Sequence, residues 1–175
     1  MRDRKKVTEE LLTEILPLQF AGSCKTTVTY VETHCREIVS GLLEAFEQAL
    51  EKAAYHQEKG AKGEAGYILL SHLHTSMLLR RYLIRIDVMD RRFYADLAQT
   101  ESYWDAECIY RLFEKDIREI KKQMENALPR IRPYEMDRVR YLYAPYYHGL
   151  TKEFLREADV LFRMRGGTDE ILQIV

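Results

Sequence analysis

The chain has 175 residues, close to the roughly 150 typical of one domain, so a single compact core is expected without disulfide or metal staples. Hydrophobic residues make up 46%, charged residues 31% and aromatics 11%, with 8 Gly and 4 Pro, which excludes a disordered, collagen-like or low-complexity chain. Lys plus Arg number 27 against 28 Asp plus Glu, and the net charge of -1 gives no overall field to hold nucleic acid or an acidic membrane.

Cys24, Cys35 and Cys108 are an odd set without CxxC spacing, which argues against a disulfide framework. The basic stretch 1–6 is followed by Glu9, Glu10 and Glu14 rather than by an apolar run, so no signal peptide is read there. No apolar run is long enough to span a bilayer. A reduced, cytoplasmic setting without membrane contact is the expectation.

The longest periodic stretch covers 26–59. Val28, Val31, Cys35, Ile38, Leu42, Phe46, Ala49 and Ala53 recur at steps of three or four, one face of a helix. Glu44, Glu47, Glu51 and Glu58 take the opposite side. Unbroken, this helix would be roughly 50 Å long at about 1.5 Å per residue. A compact sphere of this chain length is only roughly 40 Å across, with a radius of gyration of about 16 Å. Either the helix bends, with Gly41 as the weak point, or the molecule is elongated and buries the excess against a partner, its own copy included.

Glycines over 60–66 end that helix and read as a mobile connector. Residues 67–81 are apolar but poorly phased and predict a buried helix. Over 82–89 the period is two, with Tyr82, Ile84, Ile86 and Val88 on one face and Leu83, Arg85, Asp87 and Met89 on the other. That pattern reads as a strand or as the tail of the preceding helix. A strand needs a mate, and the only similar run is 171–175.

Ser102 with Asp105 has the spacing of a capping box. The helix it opens carries Ile109, Phe113, Ile117, Ile120, Met124 and Leu128 on its apolar face and stops at Pro129. Glu114/Arg118 and Lys115/Glu119 suit its solvated side. Pro133 starts a shorter helix ending before Pro145, 146–149 forms a turn, and Thr151 caps a last helix with Phe154, Leu155, Ala158, Leu161 and Phe162 inward. Gly166 and Gly167 close it, and Thr168 to Glu170 read as one more helix start. The expected fold is mainly α: a single-domain helical bundle over 1–175 with about five or six helices and one short β segment near 82–89.

Few residues point to chemistry. Gly22 to Thr26 ends like a phosphate loop, but Gln19 and Cys24 stand where glycines are needed, and the glycines at 60, 63 and 66 follow a helix rather than a strand. A carboxylate-bridged metal site needs Glu-x-x-His, and Val31, Ala53, Leu69, Ser71 and Pro145 precede the five histidines instead. His72 and His74 are the nearest pair of metal donors; they share a side on a strand and diverge by about 200° on a helix. His34 beside Cys35 adds soft donors without a second pair at zinc spacing. No cysteine opens a clear helix N-terminus beside a base, so Cys35 and Cys108 read as small core residues. Asp87 and Asp90 with Glu119 and Lys121 echo a nuclease pattern only in composition, because the last two sit mid-helix on diverging sides.

The most distinctive feature is arginine mixed with tyrosine over 130–148: Arg130, Arg132, Arg138 and Arg140 with Tyr134, Tyr141, Tyr143, Tyr146, Tyr147 and His148. Such residues stack on nucleobases, are enriched at protein interfaces, or pack inside a bundle with wet hydroxyls. A second basic cluster, Arg80, Arg81, Arg85, Arg91 and Arg92, flanks 82–89 and would guard a strand edge or offer it to a partner strand. The expectation is a non-enzymatic adaptor or regulator acting through protein contacts and self-association, with no cofactor. One alternative is a nucleic-acid-binding regulator using Arg130, Arg132, Arg138, Arg140, Tyr143, Tyr146 and Tyr147. Another is a metal- or small-ligand-dependent enzyme around His72 and His74.

Overall fold

The structure, a computed structural model, describes residues 4–164 and 172–174. Two helices come first, α1 (Arg4–Thr33) and α2 (Cys35–Glu58). Strand β1 (Ala65–His72) leads through α3 (His74–Leu79) to β2 (Leu83–Asp90), a 3-10 turn at Phe93–Ala95 and β3 (Ser102–Asp105). Then follow α4 (Glu107–Tyr110), α5 (Phe113–Ala127), α6 (Pro133–Met164) and β4 (Leu172–Ile174). The chain is mainly helical, but the fold is mixed α/β rather than a pure bundle. β1, β2 and β3 pair antiparallel, and β4 joins β1 in parallel, in the order β3-β2-β1-β4. Among the described residues no helix is long and apolar enough to cross a membrane.

Chain contacts divide the molecule into two compact units. One contains α1 and residues Cys108–Thr151; the other contains His34–Glu107 and the chain from Lys152. In the first, Arg4 meets Glu135, Glu9 meets Arg138 and Phe20 meets Tyr146, so α1 and α6 run parallel. Both run antiparallel to α5, since Ser23 meets Asp116, Gln19 meets Gln123 and Glu114 meets Arg140. Leu12, Ile15, Leu16, Phe113, Ile120 and Tyr143 are among its buried side chains. Each fully buried aliphatic or aromatic group of this kind contributes about 1.5–3 kcal/mol.

In the second unit α2 packs on β2 and β3. Its inward Ala45, Ala49 and Ala53 are small enough to bring helix and sheet close, and the Ser102 hydroxyl donates to the Ala45 carbonyl. Ile84, Ile86, Val88 and Trp104 form the buried sheet face, and Trp104 stacks on Phe154 with ring centres 5.6 Å apart.

Several expectations change. The helix read over 26–59 is two helices, and the break falls at His34 (φ -108, ψ 17), not at Gly41, which lies within α2. α1 extends back to Arg4 and escapes periodicity because half of its buried residues are Thr8, Ser23 and Thr27 and because Pro17 interrupts it. The helix read over 67–81 is β1 followed by α3. β1 pairs with β2 and β4, and its apolar residues Tyr67, Ile68, Leu69 and Leu70 follow one another without a polar alternate, so the period of two does not show. β2 confirms the strand at 82–89, but its mates are β1 and β3, while 172–174 pairs with β1.

Ser102 does not cap a helix; it begins β3, and the Asp105 carboxylate accepts the Glu107 N–H at 2.9 Å. The apolar face through Ile109, Phe113, Ile117, Ile120, Met124 and Leu128 is buried throughout, and α5 ends before Pro129. α6 passes through Pro145 and the turn expected at 146–149 without a break. Pro145 removes one helical N–H and crowds the Tyr141 carbonyl; it lies on the exposed side of the helix, where water can satisfy that carbonyl. Thr151 is therefore mid-helix and donates to the Tyr147 carbonyl four residues back, at 2.8 Å. Phe154, Leu155 and Ala158 are buried as expected; the side chains of Leu161 and Phe162, and the stretch 165–171 with its glycines, lie outside the described residues.

Candidate functional site

α6 sorts the Arg/Tyr segment onto two opposed faces, because residues three and four apart share a side of a helix. Tyr143 and Tyr147 point inward, are fully buried, and both donate their hydroxyls to Asp116 Oδ2 at 2.7 Å. Asp116 Oδ1 accepts from Ser23 Oγ at 2.6 Å and from Gln19 Nε2 at 2.9 Å. Asp116 is fully buried, and these four donors fill the acceptor positions of a carboxylate. Burial raises the pKa of both tyrosines well above the phenol range, and their hydrogen bonds to Asp116 add to it. The cluster ties α1, α5 and α6 together. Asp116 escaped the sequence reading although its position was a signal: it lies three residues after Phe113 and one before Ile117, inside the apolar stripe.

Outward lie Tyr134, Arg138, Tyr141, Leu142 and Pro145, a stripe about 17 Å long at 1.5 Å per residue. Tyr134 is 59% exposed, Leu142 41% and Tyr141 37%. Tyr146 is half-buried with its ring 5.1 Å from Phe20, and His148 is half-buried beside Tyr110, where burial lowers its pKa.

The four arginines do not act together. Arg140 grips Glu114 with two bonds of 2.5 and 2.6 Å, and Arg138 pairs with Glu9 at 2.6 Å. Arg132 reaches the Tyr134 hydroxyl at 3.2 Å, while its backbone N–H donates to Glu135 at the start of α6. Arg130 is exposed in the preceding turn with a left-handed φ of 58. Tyr143 and Tyr147 are withdrawn from the surface, so of the stacking set only Tyr134 and Tyr141 present large exposed rings.

His72 ends β1 and His74 opens α3, which separates them onto different elements. Among the described residues no group of three or more His, Cys, Asp or Glu is placed to hold a metal ion. The three cysteines form no disulfide and are half-buried. Cys35 is the first residue of α2 with His34 before it, so one cysteine does open a helix, contrary to the periodic reading that set it mid-helix.

The basic cluster around β2 guards no edge, because β2 has a strand on each side. Arg85 is bonded to Asp87, Arg92 to Asp90, and Arg91 to Glu64 in an exposed pair. Behind them lies a buried network that the sequence did not show. Lys62, expected in a mobile connector, is buried and ion-paired with Asp96. Asp96 also accepts the N–H groups of Asp90 and Ala98, and Asp90 those of Gly63 and Arg92. The loops 59–64 and 91–99 are thereby pinned together.

Compared with known protein families, with characterised proteins and with solved structures, the chain finds no match.

Proposed function

We propose that this chain is a non-enzymatic adaptor or regulator that works through protein contacts, its own copy included, with the outward face of α6 as the contact surface. The observation that supports this is the exposure of Tyr134, Tyr141 and Leu142 on one side of α6, beside Arg138. Tyrosine and arginine are the residue types that most often carry interface energy, and exposed large rings in register along a helix form a surface that a second helix can cover. The most buried acids, Asp116, Asp96 and Asp90, are each occupied by several internal donors, which favours a structural use of the polar groups over a catalytic one.

The test is sedimentation velocity over a wide concentration range, on the wild type and on a Tyr134→Ala/Leu142→Ala variant. Both residues are exposed, so the variant should keep its melting temperature. A concentration-dependent dimer that the variant loses is expected. A wild type that stays monomeric at hundreds of micromolar removes self-association, and a dimer unaffected by the variant moves the contact off α6.

A further inference from the structure

Three helices meet at one buried carboxylate. Asp116 on α5 accepts from Gln19 and Ser23 on α1 and from Tyr143 and Tyr147 on α6, and these bonds span 97, 93, 27 and 31 residues of chain. The apolar packing around it repeats. Along α6 the fully buried positions are Val139, Tyr143, Tyr147 and Thr151, at uniform steps of four residues. α5 presents Phe113, Ile117, Ile120 and Met124 at steps of four, three and four, the ordinary apolar stripe of a helix. A shift of α6 by four residues, about 6 Å along its axis, would set each of its buried side chains into the place of its neighbour and keep aromatic and aliphatic groups facing α5.

The polar pattern does not repeat. Moved one way, the helix sets Tyr147 where Tyr143 was and Thr151 where Tyr147 was, and carries the Tyr143 hydroxyl a turn beyond the carboxylate. Moved the other way, it brings Val139 opposite Asp116 and leaves Oδ2 short of a donor. Either arrangement buries a hydroxyl or a carboxylate oxygen without a partner, which is the expensive state of a buried polar group. On α1, where Gln19 and Ser23 supply the two donors to Oδ1, a shift that sets Ile15 in the place of Gln19 likewise leaves Oδ1 short of a donor.

We propose that Asp116 is the register key of the three-helix unit: it fixes the axial alignment of α1 and α6 against α5, which apolar packing alone leaves degenerate by one helical turn. One-turn slips of a packed helix are a known mode of conformational change, and here the network holds the unit to a single alignment. Asp116 acts as a positioning residue.

The test removes acceptor and donors together, so that nothing is left unpaired: Gln19→Leu, Ser23→Ala, Asp116→Leu, Tyr143→Phe and Tyr147→Phe in the full chain. Replacing both partners of a buried hydrogen bond by apolar groups of similar shape is far better tolerated than removing one. Nitroxide labels at the exposed positions Lys115 and Asp137, with the native cysteines replaced by serine, report the axial alignment of α5 and α6 by pulsed electron resonance. The parent is expected to give one narrow distance. The five-site variant is expected to keep its helical circular dichroism while the distance broadens or splits by several ångström, by roughly one turn at about 1.5 Å per residue. A single narrow distance in the variant overturns the proposal, because the alignment is then set without Asp116, by apolar packing and the ion pairs of Arg4, Arg138 and Arg140. Loss of the helical signal overturns it as well, because the network is then needed for folding itself rather than for choosing among alignments.

Discussion

Lys62 and Asp96, 34 residues apart, form an ion pair in which both side chains are withdrawn from solvent. A lysine in a glycine-rich connector would ordinarily be solvated; here it ties the chain before β1 to the loop after β2. Breaking such a pair leaves an uncompensated buried charge, so Lys62→Met is expected to cost about 3–5 kcal/mol. Chemical denaturation checks this, and adding Asp96→Leu to Lys62→Met should recover part of the loss.

Acid should act in two steps. Burial lowers the pKa of His148, so between about pH 6.5, the value of a free imidazole, and its lower folded value the unfolded chain binds more protons than the native one. Stability therefore falls as pH drops through that window, and His148→Gln should flatten this limb. A second loss belongs to Asp90 and Asp96. The Arg92 guanidinium holds Asp90 far below the carboxylate range; for Asp96, burial pushes upward but Lys62 and two backbone N–H groups outweigh it. Their contribution is full above about pH 4 and disappears as pH falls through their folded values. Melting temperature against pH, with and without the His148 substitution, separates the two limbs.

At alkaline pH the sign reverses. Burial raises Tyr110, Tyr143 and Tyr147 above the ordinary phenol value, so the native state keeps protons that the unfolded state gives up above about pH 10. Stability declines from there upward. A spectrophotometric phenolate titration should show these three ionising only with unfolding, and any of them titrating freely in the folded chain would refute their burial.

Arg140 is expected to matter to the fold rather than to a nucleic acid. Its guanidinium makes two bonds to Glu114 and is only 12% exposed. Arg140→Met keeps the stem and removes the charge, and should destabilise by about 1–3 kcal/mol, the range of a charge-assisted bond lost from a partly buried site. If Arg140 instead contacted phosphates, the substitution would leave melting unchanged and lower the salt dependence of binding to single strands.

The strand at β2 was legible because its two faces differ: Ile84, Ile86 and Val88 alternate with Arg85 and Asp87. β1 was not, because Tyr67 to Leu70 is apolar at every position, and a run without alternation fits a buried helix equally well. The continuity of α6 was hidden by Pro145 and Gly149, which together spell a turn; the burial of Tyr143, Ala144 and Tyr147 around the proline offsets the helical bond it removes, and that packing is not local to the sequence. The Arg/Tyr segment was visible as a composition but not as two surfaces. Reading it with the helix unbroken from 133 onward puts Tyr143 and Tyr147 on one side and Tyr134, Tyr141 and Leu142 on another. The Lys62 and Asp96 pair left no local trace, since its two halves come from separate loops with ordinary surface composition.

The helical unit is made from two stretches of chain that are not adjacent, with the segment from His34 to Glu107 between them. During synthesis α1 emerges before α5 and α6, and the tyrosines that complete its buried cluster come more than a hundred residues later. At roughly 5–20 residues per second, the interval is on the order of ten seconds. For most of that time, until α5 is made, Leu12, Ile15 and Leu16 have neither α5 nor α6 to cover them. The apolar side of α1 therefore waits uncovered while the segment between is made, and a ribosome stalled near residue 107 would hold it exposed.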